Sequence, residues 1–105
     1  MLATKRGYSM NNKKIRRFDV KGRIIVPRDM MRFLGITEKT QLAICSWKEN
    51  EIAIKKIEEC KDCEVLSFTK IDRQGRINIP KNIRGGDVEV EIFLVNGGLI
   101  LRGTH

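Results

Sequence analysis

The chain has 105 residues, 41% of them hydrophobic, and a formal net charge of +8. This length fits one domain or two very small interlocked halves, and the hydrophobic content argues against wholesale disorder. No apolar run approaches the roughly 18 residues of a membrane span, and the N-terminus lacks the apolar stretch of a secretory signal. We therefore expect a cytoplasmic protein without a membrane partner, and its basic character favours a polyanionic one.

The first predicted element is a basic arm over residues 1–15, expected to be flexible. Residues 1–17 contain six lysines and arginines and no acidic residue. Residues 57–105 contain seven bases and eight acids, so nearly all of the positive charge lies in the first half of the chain. Because the basic run leads directly into the motif described next, we interpret it as part of a binding surface.

A motif follows that occurs twice, as RFDVKGRIIVP over residues 17–27 and as KIDRQGRINIP over residues 70–80, at a constant offset of 53. Each copy predicts a strand, a tight turn and a second strand, that is, a hairpin. The aspartate can accept hydrogen bonds from the turn, the glycine tolerates positive φ, and the proline ends the second strand. The predicted structural turn residues are Asp19, Gly22 and Pro27 in the first copy and Asp72, Gly75 and Pro80 in the second.

Beyond Pro27, the apolar spacing in RDMMRFL predicts a short helix, and Gly35 stands where a C-capping glycine belongs. The segments QLAICSW and EIAIKKI then alternate as two strands of a second hairpin. The first repeat thus covers residues 16–56, and an acidic linker covers residues 57–66.

The second repeat, residues 67–103, has the same order of elements in shortened form. Its second hairpin turns at Asn96-Gly97, and Gly85-Gly86 replaces the body of the helix, which we expect to be reduced or absent. An isolated hairpin is marginally stable in water, so the two repeats should interleave. The predicted fold is mainly β: a pseudo-twofold β-barrel built from two tandem β-hairpin repeats, with one short helix. Pairing within one chain is favoured over exchange between chains.

The stretch RRFDVKGRIIVPRDMMRFLGITEKTQLAI resembles the swapped-hairpin DNA-binding domain of the AbrB/SpoVT family of bacterial regulators. The tandem arrangement is similar to that of the MraZ family. The resemblance implies a swapped-hairpin barrel that binds double-stranded DNA as a homodimer and regulates transcription, for example as a repressor. It implies no cofactor and no small-molecule substrate.

By position, the resemblance implies that Arg16, Arg23 and Arg32 contact DNA. Arg76 and Arg84 are the equivalent residues in the second repeat. This chain departs from the family where Met31 and Gly85 replace helix arginines. Thr69 stands at the position equivalent to Arg16, and neighbouring Lys70 is expected to compensate. Arg17 joins the set as part of the basic run. For Arg23 and Arg76 the alternative is a structural pair with the aspartate of their own turn.

The three cysteines leave a metal site open as a minor alternative. Cys60-Lys-Asp-Cys63 has half of the spacing of a zinc site, but only Cys45 and His105 could add ligands within the chain. Two chains could pool their pairs across a dimer axis. An inert linker is favoured over zinc binding or a redox pair, so no metal is predicted.

Other functions are weaker predictions. The chain offers no phosphate-cradling glycine loop and only one histidine, so we predict that it is not an enzyme. The fold is shared by MazE-type antitoxins, which makes an antitoxin that pairs with a toxin the alternative function. RNA or membrane-surface binding through residues 1–17 is a third possibility.

Overall fold

A computed structural model describes residues 13–103 of the protein. Most of the predicted basic arm, residues 1–12, lies outside the described residues. The arm is shorter than predicted, because its last two residues already belong to the first strand. The elements in chain order are β1 (Lys14–Arg17), β2 (Arg23–Ile25), α1 (Arg28–Leu34), β3 (Leu42–Ser46), β4 (Glu51–Lys56), a 3-10 turn (Ile57–Glu59), β5 (Val65–Thr69), β6 (Arg76–Asn78), α2 (Lys81–Arg84), β7 (Glu89–Val95) and β8 (Gly98–Gly103).

The strands form one six-stranded antiparallel sheet and one two-stranded ribbon. The sheet has the order β1-β7-β8-β4-β3-β5, and the ribbon consists of β2 and β6. Each repeat places its first strand beside the other repeat: β1 pairs with β7, and β5 pairs with β3. Exchanging the two repeats maps this strand order onto itself, so the chain has a pseudo-twofold axis. We call the β1–β7 and β5–β3 pairings the strand exchange, and β2–β6 the central ribbon.

The predicted pairing within the first hairpin of each repeat is wrong. The turn forms as expected, since the Gly22 N–H donates to the Asp19 carbonyl at 3.0 Å, but its two strands diverge. β2 pairs with β6 instead, and each central isoleucine, Ile24 and Ile77, is buried opposite the other. Pairing between the repeats is favoured because it buries both β-branched side chains in a common core. A local hairpin would leave these side chains half solvated.

Charge complementarity accompanies the strand exchange. Arg17 in β1 lies opposite Glu89 in β7, and its Nη1 atom is 3.6 Å from the Glu89 carboxylate. Lys13 Nζ lies 3.3 Å from Oε2 of Glu91. Opposite charges that face each other across antiparallel strands are stabilising. Acidic residues of the second repeat therefore balance part of the positive charge of the basic run. The charge counts of the separate segments did not predict this pairing.

The remaining elements agree with the prediction of a mainly β chain, which is confirmed. β3 pairs with β4 and β7 pairs with β8, as the second hairpin of each repeat requires. The helix α1 ends at Gly35, whose φ of 70° gives the left-handed cap. The second repeat keeps only a four-residue remnant, α2, so α1 is the one main helix among residues 13–103 and the helix of the second repeat is reduced, as expected. The predicted linker is also shorter than expected, since β5 begins at Val65.

The core occupies both faces of the six-stranded sheet. The central ribbon covers one face, where its inward isoleucines pack with apolar side chains of the four inner strands, Ile44, Ile54, Ile92, Leu99 and Leu101. A second cluster lies on the opposite face and consists of Ala43, Cys45, Ala53, Phe93 and Ile100, with Cys60, Cys63 and Val95 packed against it. Among residues 13–103 no ladder joins β1 to β2 or β5 to β6, so the sheet and ribbon form layers and do not show the closure of the predicted barrel.

Within the same residues, no helix is both long enough and apolar enough to cross a membrane.

The central ribbon offers a matched test of its packing, because two neighbouring isoleucines of β2 face opposite ways. Ile24 is 1% exposed and Ile25 is 51% exposed. Ile24→Ala should lower the free energy of unfolding by about 2–4 kcal/mol through lost burial and the cavity left behind, whereas Ile25→Ala should cost less than about 1 kcal/mol. Urea unfolding of both variants measures this. Equal losses of unfolding free energy in the two variants would contradict the assignment of Ile24 to the buried face of β2 and Ile25 to the exposed face.

Candidate nucleic-acid interface

The two turns of the repeated motif have the same hydrogen bonds. In the first, Asp19 Oδ1 accepts from the backbone N–H groups of Lys21 and Arg23, both at 2.9 Å, and Oδ2 accepts from Arg23 Nε at 2.9 Å. The glycine φ angles are 84° at Gly22 and 83° at Gly75, a region that favours glycine. The turn thus fixes both its own backbone and the direction of the arginine that follows.

The second turn repeats this arrangement residue for residue. Asp72 Oδ1 accepts from the N–H groups of Gln74 and Arg76 at 2.9 Å, and Oδ2 accepts from Arg76 Nε at 2.7 Å. The prolines that follow, Pro27 and Pro80, stand directly before α1 and α2. Both arginines therefore form the pair with their own aspartate that the sequence left open. Each pair joins Nε of the arginine to Oδ2 of the aspartate, so the outer nitrogens of the guanidinium can still meet a ligand.

These arginines lie on the solvent side of the central ribbon. Because Ile24 and Ile77 point into the core, the residues that alternate with them point outward. Four residues share this outward face: Arg23, Ile25, Arg76 and Asn78. Arg23 lies opposite Asn78 and Arg76 lies opposite Ile25, so the pseudo-twofold axis relates the two arginines. We call this surface the ribbon face.

Arg16 of β1 lies next to the ribbon face. Its Nε donates to the carbonyl of Ile25 at 3.1 Å, and its Nη1 donates to the carbonyl of Ile15 at 3.1 Å. Thr69 stands at the equivalent position of the second repeat, and its hydroxyl donates to the carbonyl of Asn78 at 3.4 Å. The structural contact to the ribbon is thus kept in both repeats, but only the first brings a cation to it.

The helix α1 adds a second basic surface. Arg28 and Arg32 line a groove together with Arg73 of the second turn. The side chains of Arg28 and Arg32 are exposed and make no hydrogen bond or ion pair with the described part of the chain, whereas Arg73 Nε lies 3.7 Å from Glu38. The sequence analysis missed Arg28 and Arg73. Arg28 could have been found, because residues four apart share one side of a helix.

Arg84 is built into the scaffold. Its Nε donates to the Ile79 carbonyl at 3.0 Å, and its guanidinium lies 5.5 Å from the centre of the Phe18 ring. A Cβ atom at Gly22 would lie 2.7 Å from Arg84 Nη2. The sulfur of Met31, the equivalent residue of α1, would lie 3.7 Å from a Cβ atom at Gly75, so this packing is looser. Arg84 therefore joins the two repeats, unlike exposed Arg32.

The two remaining candidates lie at the edges of the molecule. Arg17 is exposed on β1 and is engaged with Glu89, as described above. Lys70 follows β5, is exposed, and lines a shallow groove with Phe68 and Thr69. Of the predicted set, the structure brings Arg16, Arg23 and Arg76 to the ribbon face and places Arg32 on α1.

No protein-family model matches the chain, and no curated protein does. Among solved structures, the chain is similar to the solution structure of PHS018 from Pyrococcus horikoshii, with 20% sequence identity and a TM-score of 0.46. The match covers 90% of this chain and 96% of that chain. A likeness of this degree carries no argument about fold or function.

The aspartates of the two turns make stability depend on pH. The backbone N–H of Arg23 holds the pKa of Asp19 below its usual value, aided by the Arg23 side chain and the Lys21 N–H. The N–H of Arg76 does the same to the pKa of Asp72. A depressed folded-state pKa gives stability that is present above the unfolded value of about 3.9 and is lost as the pH falls through the folded value.

The double variant Asp19→Asn, Asp72→Asn should therefore be less stable than the native chain at pH 7. The difference should shrink at pH 3, because the carboxylates of the unfolded chain then take up protons while those of the folded chain, with their lowered pKa, resist protonation. Urea unfolding at both pH values measures the difference in the free energy of unfolding between the variant and the native chain. Glu49→Gln, in the exposed β3–β4 turn, serves as a control for which this difference should be the same at both pH values. A difference that also stays constant for the double variant would show that the carboxylate charge does not hold the turns.

Proposed function

We propose that this protein binds double-stranded DNA through the ribbon face and the neighbouring basic side of α1, and that it acts as a transcriptional regulator. The observation that carries the proposal is the pair of arginines on the ribbon face. Arg23 and Arg76 are related by the pseudo-twofold axis, point to solvent from adjacent antiparallel strands, and are each oriented by an aspartate. The resemblance of the repeated motif to the AbrB/SpoVT family supports the same function.

The dimensions of the ribbon suit duplex DNA. The major groove of B-DNA is about 12 Å wide and admits a two-stranded β-ribbon. An arginine whose Nε is already bound to a carboxylate presents its outer nitrogens in a fixed direction, which suits two-pronged contact with a phosphate or a guanine edge. Orienting a free side chain on binding costs conformational entropy. An arginine that is already held in place therefore loses less entropy when the complex forms.

The same aspartates cancel the charge of the arginines they hold, so Arg23 and Arg76 add direction rather than net charge. Attraction to the phosphates must come from cations elsewhere on this side of the molecule. The candidates are bases that adjoin the ribbon face or line the α1 groove, namely half-buried Arg16 and the exposed Lys21, Arg28, Arg32 and Lys70. Arg28 and Arg32 have no acidic partner among residues 13–103, which makes them the strongest candidates for phosphate contacts.

A homodimer is part of the proposal. One central ribbon carries a single pair of arginines, and specific protein–DNA interfaces bury about 1,000–2,500 Å² of protein surface. Two units side by side would double the basic surface and read two half-sites. Sedimentation of the protein with and without a duplex measures the number of chains per DNA. A stoichiometry of one chain per specific site would contradict this part of the proposal.

The test of DNA binding compares Arg32 with Arg84. Arg32→Gln should weaken duplex binding about tenfold, equivalent to about 1.4 kcal/mol, without changing stability. It should also make the log–log salt dependence shallower by about 0.9, the value for one lost phosphate contact. Arg84→Gln should instead lower the free energy of unfolding by about 1–3 kcal/mol, because it removes a hydrogen bond and the stacking on Phe18. Fluorescence anisotropy with a genomic operator selected by pulldown gives the affinities.

Lys61→Gln is the matched control for charge. Lys61 is exposed and lies in the linker that packs on the opposite face of the sheet, so its removal should change neither the affinity nor the salt slope. If Lys61→Gln and Arg32→Gln weaken binding equally, attraction is a property of overall charge and the assigned surface is wrong. Stronger binding to single strands or to RNA than to the duplex would contradict the proposed ligand.

A further inference from the structure

The three cysteines of the chain meet on the sheet face that lies opposite the central ribbon. Cys45 is buried in the middle of the sheet, on β3, and Cys60 and Cys63 belong to the linker that crosses it. The Sγ atoms of Cys45 and Cys60 are 3.4 Å apart, and all three sulfurs lie within 4.8 Å of one another. The sequence spacing of Cys60 and Cys63 alone did not reveal the third member, because β3 is 15 residues earlier in the chain.

The spacing of the sulfurs fits a metal ion. In a tetrahedral zinc site, Zn–S bonds of about 2.3 Å place the sulfurs about 3.8 Å apart. One separation is 3.4 Å and none exceeds 4.8 Å, so side-chain adjustments of about 1 Å or less would bring the three sulfurs onto one ion. Burial raises the pKa of the Cys45 thiol to about 12, with the two neighbouring thiols adding to the effect. The thiolate is the form that binds a metal ion, so metal binding at Cys45 must displace this proton.

Charge selects the class of ion. Three thiolates around a divalent cation leave one net negative charge, and Lys55 Nζ lies 4.0 Å from Cys63 Sγ, where its ammonium balances that charge. A monovalent ion such as Cu(I) would leave a second negative charge at a site that is partly buried. Thiolates bind both ions well, so the neighbouring charge decides between them.

The backbone around the cluster departs from regular geometry. The β3–β5 ladder shifts register between Ile44 and Cys45, which marks a bulge, and bulges occur often beside functional sites. Between the two linker cysteines, Asp62 has a φ of 60°, a left-handed conformation that folds the linker back over β3. Both irregularities serve to bring the linker sulfurs to Cys45.

We propose that Cys45, Cys60 and Cys63 form a binding site for one Zn²⁺ ion per chain. Three sulfurs leave the fourth coordination position of zinc open to water or to an added ligand. The bound ion fastens the linker to β3, and through it the connection between the two repeats. On binding, each thiol gives up its proton to solvent and each sulfur donates one electron pair to the metal, so no oxidant or reductant takes part.

The experiment titrates the reduced, full-length protein with Zn²⁺ in the absence of oxygen, against a chelator of known affinity. We expect one Zn²⁺ per chain by native mass spectrometry. With Co²⁺ as the probe, we expect the thiolate-to-metal absorption band of a sulfur-bound ion. Cys60→Ser and Cys63→Ser should each weaken Zn²⁺ binding more than about 100-fold, the upper end of the cost of losing an outer-shell group. Zn²⁺ should raise the melting temperature of the native chain but not that of these variants.

Asp62→Asn is the matched control, because it removes a carboxylate from the same loop while asparagine keeps the left-handed conformation. It should bind Zn²⁺ as the native chain does. The linker variants are preferred to a change at buried Cys45, and circular dichroism checks that they fold. The proposal is overturned if the native chain binds Zn²⁺ no more tightly than Cys60→Ser, or if Asp62→Asn loses as much affinity. Uptake of Cu(I) without uptake of Zn²⁺ would overturn the divalent assignment.

Discussion

The pairing of Ile24 with Ile77 across the central ribbon is the constraint on which the rest of the structure depends. Equivalent residues of the two repeats face each other there, so the pairing lies on the pseudo-twofold axis, as does the pairing of β4 with β8 at the centre of the sheet. Because both side chains are buried against the six-stranded sheet, the residues that alternate with them must face solvent. The position of Arg23 and Arg76 is thus set by the core, and the aspartates of the turns only refine their direction.

Around this symmetric centre the two repeats have diverged in their side chains. Arg16 and Thr69 make the same contact to the ribbon backbone, but only one of them carries charge. Met31 and Arg84 both pack against the turn glycine of the other repeat, and here the second repeat holds the cation. Arginine in this protein is therefore used in two ways, as a structural tie between the repeats and as an exposed cation. The contacts that each side chain makes, rather than its position in the motif, tell the two uses apart.

The sequence was a good guide to local structure and a poor one to strand partners. The turn at Asp19 and Gly22, the helix that ends at Gly35 and the two long hairpins follow from local residue preferences, because each feature depends on neighbours in the chain. Alternation shows which side of a strand is buried but not which strand lies beside it, so the divergence of β1 and β2 was missed. The sequence named Cys45 beside Cys60 and Cys63 only as a minor alternative for a metal site, because their approach requires the linker to cross β3. Arg84 shows the same limit, as motif position alone could not distinguish a half-buried arginine from an exposed one.

The strand exchange also determines how the folded state depends on concentration. A single repeat would lack the neighbour of its first strand and would have to find it on another molecule, so its folded fraction would fall on dilution. In this chain both repeats are joined by residues 60–64 and the preceding turn, and a tether that short keeps them at an effective concentration of roughly millimolar. Folding of the two joined repeats is thereby a first-order process, and a protein present in a few copies per cell keeps the same native structure as one that is abundant.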